Sequence, residues 1–423
     1  MSETALSNAP AQRTAASPLG LIGSIAWRNL WRNRRRTLLS AGAIGFAVAL
    51  LLFTMSMQAG TYGAMIDNAT RLLDGHLQLQ RRGYLDDPHV ETTIDDAADR
   101  VAAIRAMPGV VAAAPRVEAF VLVSGDERSY GAQLLGVDPP AERALSSVSN
   151  MVSEGRYLVG GNEAYAGAIL AHNIGASVGD QIVILGSTAS GGVAALAVTL
   201  VGTFSTGTAE LDRQMLEVPL PQVADAFELH DAVNAIAVRA DSVERAHAVA
   251  EVLRGNVPPD DVVLEWPALI PDLEQAIVLD RTSGEVMFGV LAAVVTIGVL
   301  NAFLMTVFER TREFGVLLAM GMRRGAIIGM LQLESLLLAI LGCVAGLAVG
   351  MPLVLWSGHV GIPVGDTGAA MQAFHISDRL RPTLEFAAAM RPVVLMLICT
   401  QLAGLLPALR VRRIEPSEAL RAA

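Results

Sequence analysis

The residues from Glu309 to Arg324 combine six charged side chains, Glu309, Arg310, Arg312, Glu313, Arg323 and Arg324, with the apolar Phe314, Val316, Leu317, Leu318 and Met320. The segment is too apolar to be left in water and too short to span a bilayer. Two kinds of chemistry fit such a composition: an amphipathic helix lying on lipid headgroups, or a short helix docked in a groove on a cytosolic partner. Ten residues beyond Arg324, Glu334 stands at the start of a long uncharged run. A carboxylate at full membrane depth would cost about 2.5 to 3.5 kcal/mol, so the expectation is an interfacial Glu334 in an ion pair with Arg323 or Arg324.

Bond-making chemistry finds no support. The seven histidines, His76, His89, His172, His230, His247, His359 and His375, show no HxxxH or HxxE spacing, and neither Cys343 nor Cys399 lies near them. No GxSxG nucleophile elbow occurs. All 31 basic residues are arginines, and a phosphate-binding Walker A loop needs its lysine. The expectation is a non-enzymatic chain with no catalytic, metal or cofactor-binding residues.

The elements that must carry these residues are set by charge spacing. Arg36 and Asp67 bracket thirty uncharged residues, Glu285 and Glu309 bracket twenty-three, and Arg391 and Arg410 bracket eighteen; from Ser335 the chain runs uncharged to Asp366. A hydrocarbon core of about 30 Å needs roughly 20 apolar residues as helix, which predicts an α-helical membrane protein with four transmembrane helices. Three arginine clusters flank the spans: Arg28 to Arg36, Arg310 to Arg324 and Arg410 to Arg413. All three place both termini in the cytoplasm by the positive-inside rule. The first span exceeds an ordinary signal-peptide core and reads as an uncleaved anchor.

The segment between the first two spans must then lie outside, and from Gln58 to Glu285 it holds 14 arginines against 32 acidic residues. That balance argues against nucleic acid as a partner. It has no cysteine, so its core must hold it together, and at this size it can. Alternation at His76–Gln80, Val117–Val123, Tyr130–Val137, Ala194–Thr203 and Ala235–Arg239 predicts strands. Helical spacing over Asp95–Met107 and Val243–Arg254 predicts helices, and two α/β subdomains folded from interleaved pieces fit best. Apolar positions also continue helically over Gly60–Leu73 and Leu269–Gly284, as stalks would. Within the membrane, Gly342, Gly346 and Gly350 form a doubled GxxxG and Gly42 and Gly45 recur on the first span. Such spacing suits helix packing within the chain or against a partner subunit.

The run AWRNLWRNRRRTLL (residues 26–39) resembles the entry helix of the FtsX/MacB/LolCE permease family. ERTREFGVLLAMGMRRGAI (309–327) is similar to that family's coupling loop, LQLESLLLAILGCVAGLAVG (331–350) to its third helix with Glu334 at a recurrent glutamate, and RRIEPSEALR (412–421) to its terminal signature.

The resemblance implies a permease subunit of an ABC transporter, with a large periplasmic α/β domain of MacB-like type made of a porter-like and a strand-rich subdomain. It implies a second permease copy or paralogue and a cytosolic ATPase dimer that holds the ATP and Mg, engaged through Glu309, Arg310, Arg312, Glu313, Phe314, Leu317, Arg323 and Arg324. The layout without a fused ATPase looks more like the LolC and LolE lipoprotein-releasing subunits. The implied work is extraction or release of a lipoprotein or other amphipathic cargo from the bacterial inner membrane to the periplasm, with membrane lipid and a periplasmic lipoprotein carrier as further partners. MacB-like efflux and FtsX-like regulation of a periplasmic hydrolase are the alternatives. The expected organisation is a disordered N terminus (1–20), entry helix and first span (21–57), periplasmic domain with stalks (58–285), second span (286–308), coupling loop (309–324), third span (325–356), periplasmic loop (357–384), fourth span (385–409) and cytoplasmic C terminus (410–423).

Overall fold

A short helix α1 (residues 26–32) turns at Asn33 into α2 (Arg34–Leu72), and the Thr37 hydroxyl donates to the Leu30 carbonyl at 2.6 Å across the turn. The computed structural model describes residues 26–126, 128–363 and 379–411. The expected disordered terminus and the terminal signature at 412–421 lie outside them. Two compact units result: Thr61–Asp280 with Pro363–Leu380, and Met1–Gly60 with Arg281–Ile362 and Arg381–Ala423.

The first of these units holds one ten-stranded sheet. Its strands are β1 (Leu77–Arg81), β2 (Val110–Ser124), β3 (Ser129–Val137), β4 (Val152–Gly155), β5 (Glu163–Gly167), β6 (Gln181–Ser187), β7 (Val193–Phe204), β8 (Met215–Pro219), β9 (Ala235–Ala240) and β10 (Asp261–Glu265). The helices between them are α3 (Ala97–Arg105), α4 (Pro139–Leu145), α5 (Ala168–Ile174), α6 (Ala209–Gln214), α7 (Leu220–Ala226), α8 (Val243–Arg254) and α9 (Trp266–Leu269).

Two βαβ halves, β1–α3–β2 and β9–α8–β10, interlock in the antiparallel order β10-β1-β9-β2, the ferredoxin-like arrangement. Leu77 and Leu79 point to one face and are buried with Val101 and Ile104 of α3 and Val249 and Leu253 of α8. Everything between β2 and β9 is an insertion. The fifteen-residue β2 belongs to both parts: Val110–Arg116 pairs with β9, and Arg116–Ser124 pairs with β3. From β3 the pairing passes through β8, β5, β7 and β6, and β6 returns to Leu122–Ser124 of β2, closing a ring. The two subdomains expected from the sequence therefore share one strand. The strand expected from Val117 starts seven residues earlier, at Val110. Ala112, Ala113 and Ala114 have weak strand propensity, and pairing with β9 overrides it.

The C-terminal end of α2 is held by this unit's core. Gly75, at φ +72°, donates its N–H to the Thr70 carbonyl, and a Cβ there would meet the Val238 carbonyl at 2.8 Å. Arg116 Nη2 donates to the Leu73 carbonyl at 2.7 Å, the Ser146 hydroxyl to the Leu72 carbonyl at 2.7 Å, and the Ser147 N–H to the Arg71 carbonyl at 2.8 Å. A guanidinium at the negative end of a helix is favourable. Arg116 is itself fully buried and pairs with the equally buried Glu142 through Nε and Nη2 at 3.2 and 2.5 Å.

Near this pair lies Glu217, fully buried, with no hydrogen-bond partner for either carboxyl oxygen among the described residues. Burial, reinforced by the Glu142 charge, pushes its carboxyl up to about 8. Between an unfolded-chain value near 4.5 and that folded value, the folded protein holds a proton that the unfolded chain has lost. Stability should therefore fall as pH rises from about 5 to 8, by a few kcal/mol at about 1.4 kcal/mol per unit. Glu217→Gln should flatten this dependence and raise the melting temperature of the full-length protein at pH 8.5. Parallel pH profiles for the two proteins would contradict the assignment.

The second unit contains α10 (Pro271–Glu309), α11 (Thr311–Ala319), α12 (Arg324–Val360) and α13 (Phe386–Arg410). Helices α2, α10, α12 and α13 are long and apolar enough to cross a membrane. Both α2 and α10 also contribute residues to the sheet-bearing unit. Small residues let α2 and α12 touch: a Cβ on Gly346 would lie 2.6 Å from the Gly45 carbonyl, one on Gly342 2.7 Å from Ile44, and one on Gly350 3.0 Å from Leu52. Gly42 is the exception. It faces outward with nothing within 4 Å, so it takes no part in this packing.

Candidate coupling site

Arg310, at the turn between α10 and α11, organises the site. Its Nη1 donates to both oxygens of Glu334 on α12 at 3.0 and 3.1 Å, its Nε donates to Glu313 of α11 at 3.0 Å, and its guanidinium lies 5.2 Å from the Phe314 ring centre. The Arg310 and Glu334 side chains are each 7% exposed. Helix α1 supplies the rest: Asn29 Nδ2 donates to Glu334 at 2.7 Å, and Arg32 donates to Glu313 at 2.9 Å. The bonds close a ring through α1, α12, the turn and α11, while Arg36 pairs with Glu309 outside it at 2.7 Å. Burial pushes the Glu313 carboxyl up, but hydrogen bonds from Arg310 and Arg32 outweigh this and hold it below the usual carboxylate range.

Two sequence expectations are corrected here. Glu334 pairs with Arg310 and not with Arg323 or Arg324. Those two arginines precede it on or beside the same helix by about 15 Å of axial rise, too far for contact, whereas the α10–α11 turn lies against α12. Phe314, expected to fill a partner's groove, is fully buried in its own chain with Val307, Ile327, Met330, Leu331, Ala408 and Val411. Leu317 is half-buried against the same cluster.

The i, i+3, i+4 stripe of Phe314, Leu317 and Leu318 is thus the inward face of α11. Arg312, Val316 and Met320, spaced i, i+4, i+8, are exposed, with Met320 70% accessible; Arg323 and Arg324 are exposed as well. Asn29, Arg32 and Arg36 carried no signal of their role beyond their place before the first span. Among the described residues no cluster of three or more His, Cys, Asp or Glu could hold a metal. The arrangement can fix a short helix rigidly to three others and present its far side.

Residues 285–416 match the FtsX-like permease C-terminal family. The lipoprotein-releasing system transmembrane protein LolC of Xylella fastidiosa is 23% identical over 417 residues, covering 94% of this chain and 98% of that protein. The pyoverdine export ATP-binding/permease protein PvdT of Pseudomonas aeruginosa is 26% identical over 362 residues, 80% of this chain but 52% of PvdT. The solved periplasmic region of MacB from Actinobacillus actinomycetemcomitans covers 47% of this chain and 92% of its own at 11% identity, with a TM-score of 0.35, too low to assign a fold. Residues 285–416 thus fit an FtsX-like permease domain, and the chain is similar to LolC nearly from end to end.

Proposed function

We propose that this chain is the permease subunit of an ABC transporter of the bacterial inner membrane, coupling ATP hydrolysis by a separate ATPase to release of a lipoprotein or other amphipathic cargo into the periplasm. The observation that carries the reading is the match to LolC across 98% of that protein. The absence of lysine from this sequence agrees with it, since a Walker A loop needs one and the nucleotide with its Mg is then held outside these residues. The arginine clusters orient the chain with both termini and α11 in the cytoplasm, and the strand-bearing unit in the periplasm. A second permease copy or a paralogue completes the assembly. Efflux in the manner of PvdT is the second reading, supported by the match over 80% of this chain.

In this mechanism the ATPase grips the outward face of α11 through Arg312, Val316 and Met320. The ring around Arg310 transmits that movement to α10 and α12, because a helix held by buried ion pairs and a buried aromatic moves as part of the bundle. Helices α2 and α10 act as stalks. Val316→Asp places a carboxylate in the gripped surface and should weaken ATPase co-purification at least about tenfold, the equivalent of about 1.4 kcal/mol. Membrane insertion should be unchanged, because Val316 is exposed. Undiminished co-purification would mean that this face lies on lipid headgroups instead.

A further inference from the structure

Gln78 and Gln80 alternate with Leu77 and Leu79 along β1, so they face away from α3 and α8. On that side of the sheet lies a cavity of about 400 Å³, lined among others by Asp74, Gln78, Gln80, Leu85, Glu118 and Phe120. Its polar groups are mismatched. Gln80 is 2% exposed and gives its amide N–H to Gln78, but its Oε1 accepts nothing. The Asp74 carboxylate receives only a 3.5 Å contact from Gln78, and Glu118 only a 3.3 Å hydrogen bond from Tyr84, among the described residues. Among the described residues no arginine lines the cavity. The nearby Arg116 is committed to Glu142 and Leu73.

A buried acceptor without a donor is costly, and so is a half-buried carboxylate such as Asp74 or Glu118 without a close cation. Consistently, burial pushes both the Asp74 and Glu118 carboxyls up from their ordinary values, against the opposing pull of Arg116. The rest of the lining mixes the polar His89, Glu91 and Gln133 with the apolar Leu85, Val90 and Leu269, and Phe120 stands 72% exposed at the rim, where an aromatic face can cover a cation. The volume suits a small organic ligand. We infer that this cavity binds an amphipathic organic cation, a primary or secondary ammonium that donates to Glu118 and Asp74 while its apolar body rests on Leu85 and Phe120. The site does not rest on the transport reading and would exist whatever the cargo.

The test uses the full-length protein in lipid nanodiscs, titrated calorimetrically with 4-phenylbutylammonium at pH 7 against empty nanodiscs. Saturable binding of one molecule per chain is expected, with 4-phenylbutanol and 4-phenylbutyrate at least about tenfold weaker. Glu118→Gln and, separately, the rim variant Phe120→Ala should each weaken the ammonium severalfold; Phe120 is exposed, so its variant tests the site without touching the core. No saturable heat beyond empty nanodiscs, equal affinity for the alcohol, or indifference to both variants would overturn the proposal and leave the cavity to water.

Discussion

Arg310→Leu is expected to abolish permease-stimulated ATP hydrolysis and cargo release while the protein still inserts into the membrane. The side chain makes two hydrogen bonds to Glu334 and one to Glu313, and both it and Glu334 are 7% exposed. Removing one member of a buried ion pair leaves the other charge uncompensated, at a cost of about 3 to 5 kcal/mol. Among the described residues only Asn29 then donates to Glu334, and α11 loses its ion-pair tie to α12, keeping the packing of Phe314 on Ile327 and Met330. A helix freed by that much populates other orientations, so stimulated hydrolysis should fall at least about tenfold. The double variant Arg310→Leu with Glu334→Leu distinguishes charge from position. Apolar replacement of both partners of a buried pair is often tolerated for stability, so the double variant should regain thermal stability but not the Glu313 tie, and coupling should stay impaired. Full recovery of stimulation would show that the pair only fills space.

Inserting Gly-Gly after Met65 is expected to separate hydrolysis from cargo movement. Helix α2 continues to Leu72, and its end is clamped by Arg116, Ser146 and Ser147. Two added residues rotate everything beyond them by about 200° and lengthen the helix by about 3 Å. Each glycine costs about 1 kcal/mol of helix stability, far less than the sheet-bearing core provides against unfolding. The variant should insert, bind its ATPase and support hydrolysis, with cargo release below about a tenth of normal. Release at the normal rate would make the stalk a passive tether.

Much of this architecture was legible because it follows from length and period. An uncharged run such as Glu285–Glu309 has no soluble alternative, and α10 ends at Glu309 as its charge spacing requires. Strands β1, β7 and β9 and helix α8 were found by alternation and helical spacing. Strands β4, β5, β8 and β10 were not: β8 and β10 carry acidic residues, Glu217 and Asp261, that interrupt apolar alternation, yet Asp261 is buried between Arg81 and Arg100. At the site, the inward stripe of α11 could have been read, since Phe314, Leu317 and Leu318 share one face; assigning that face to a partner mistook the chain's own core for an interface. The partner of Glu334 could not be read, because nothing local ties a residue on α12 to an arginine 24 positions earlier. The Arg116 clamp was hidden for the same reason, its carbonyl acceptor lying 43 residues away.

The claim that α11 turns Phe314 inward and presents Met320 to the ATPase is tested most directly by photo-crosslinking. A photoreactive residue placed at Met320, which is 70% exposed, should crosslink to the ATPase, and at Phe314, fully buried beside Ile327 and Met330, only within the permease itself. Crosslinking to the ATPase from position 314, with none from 320, would contradict the account.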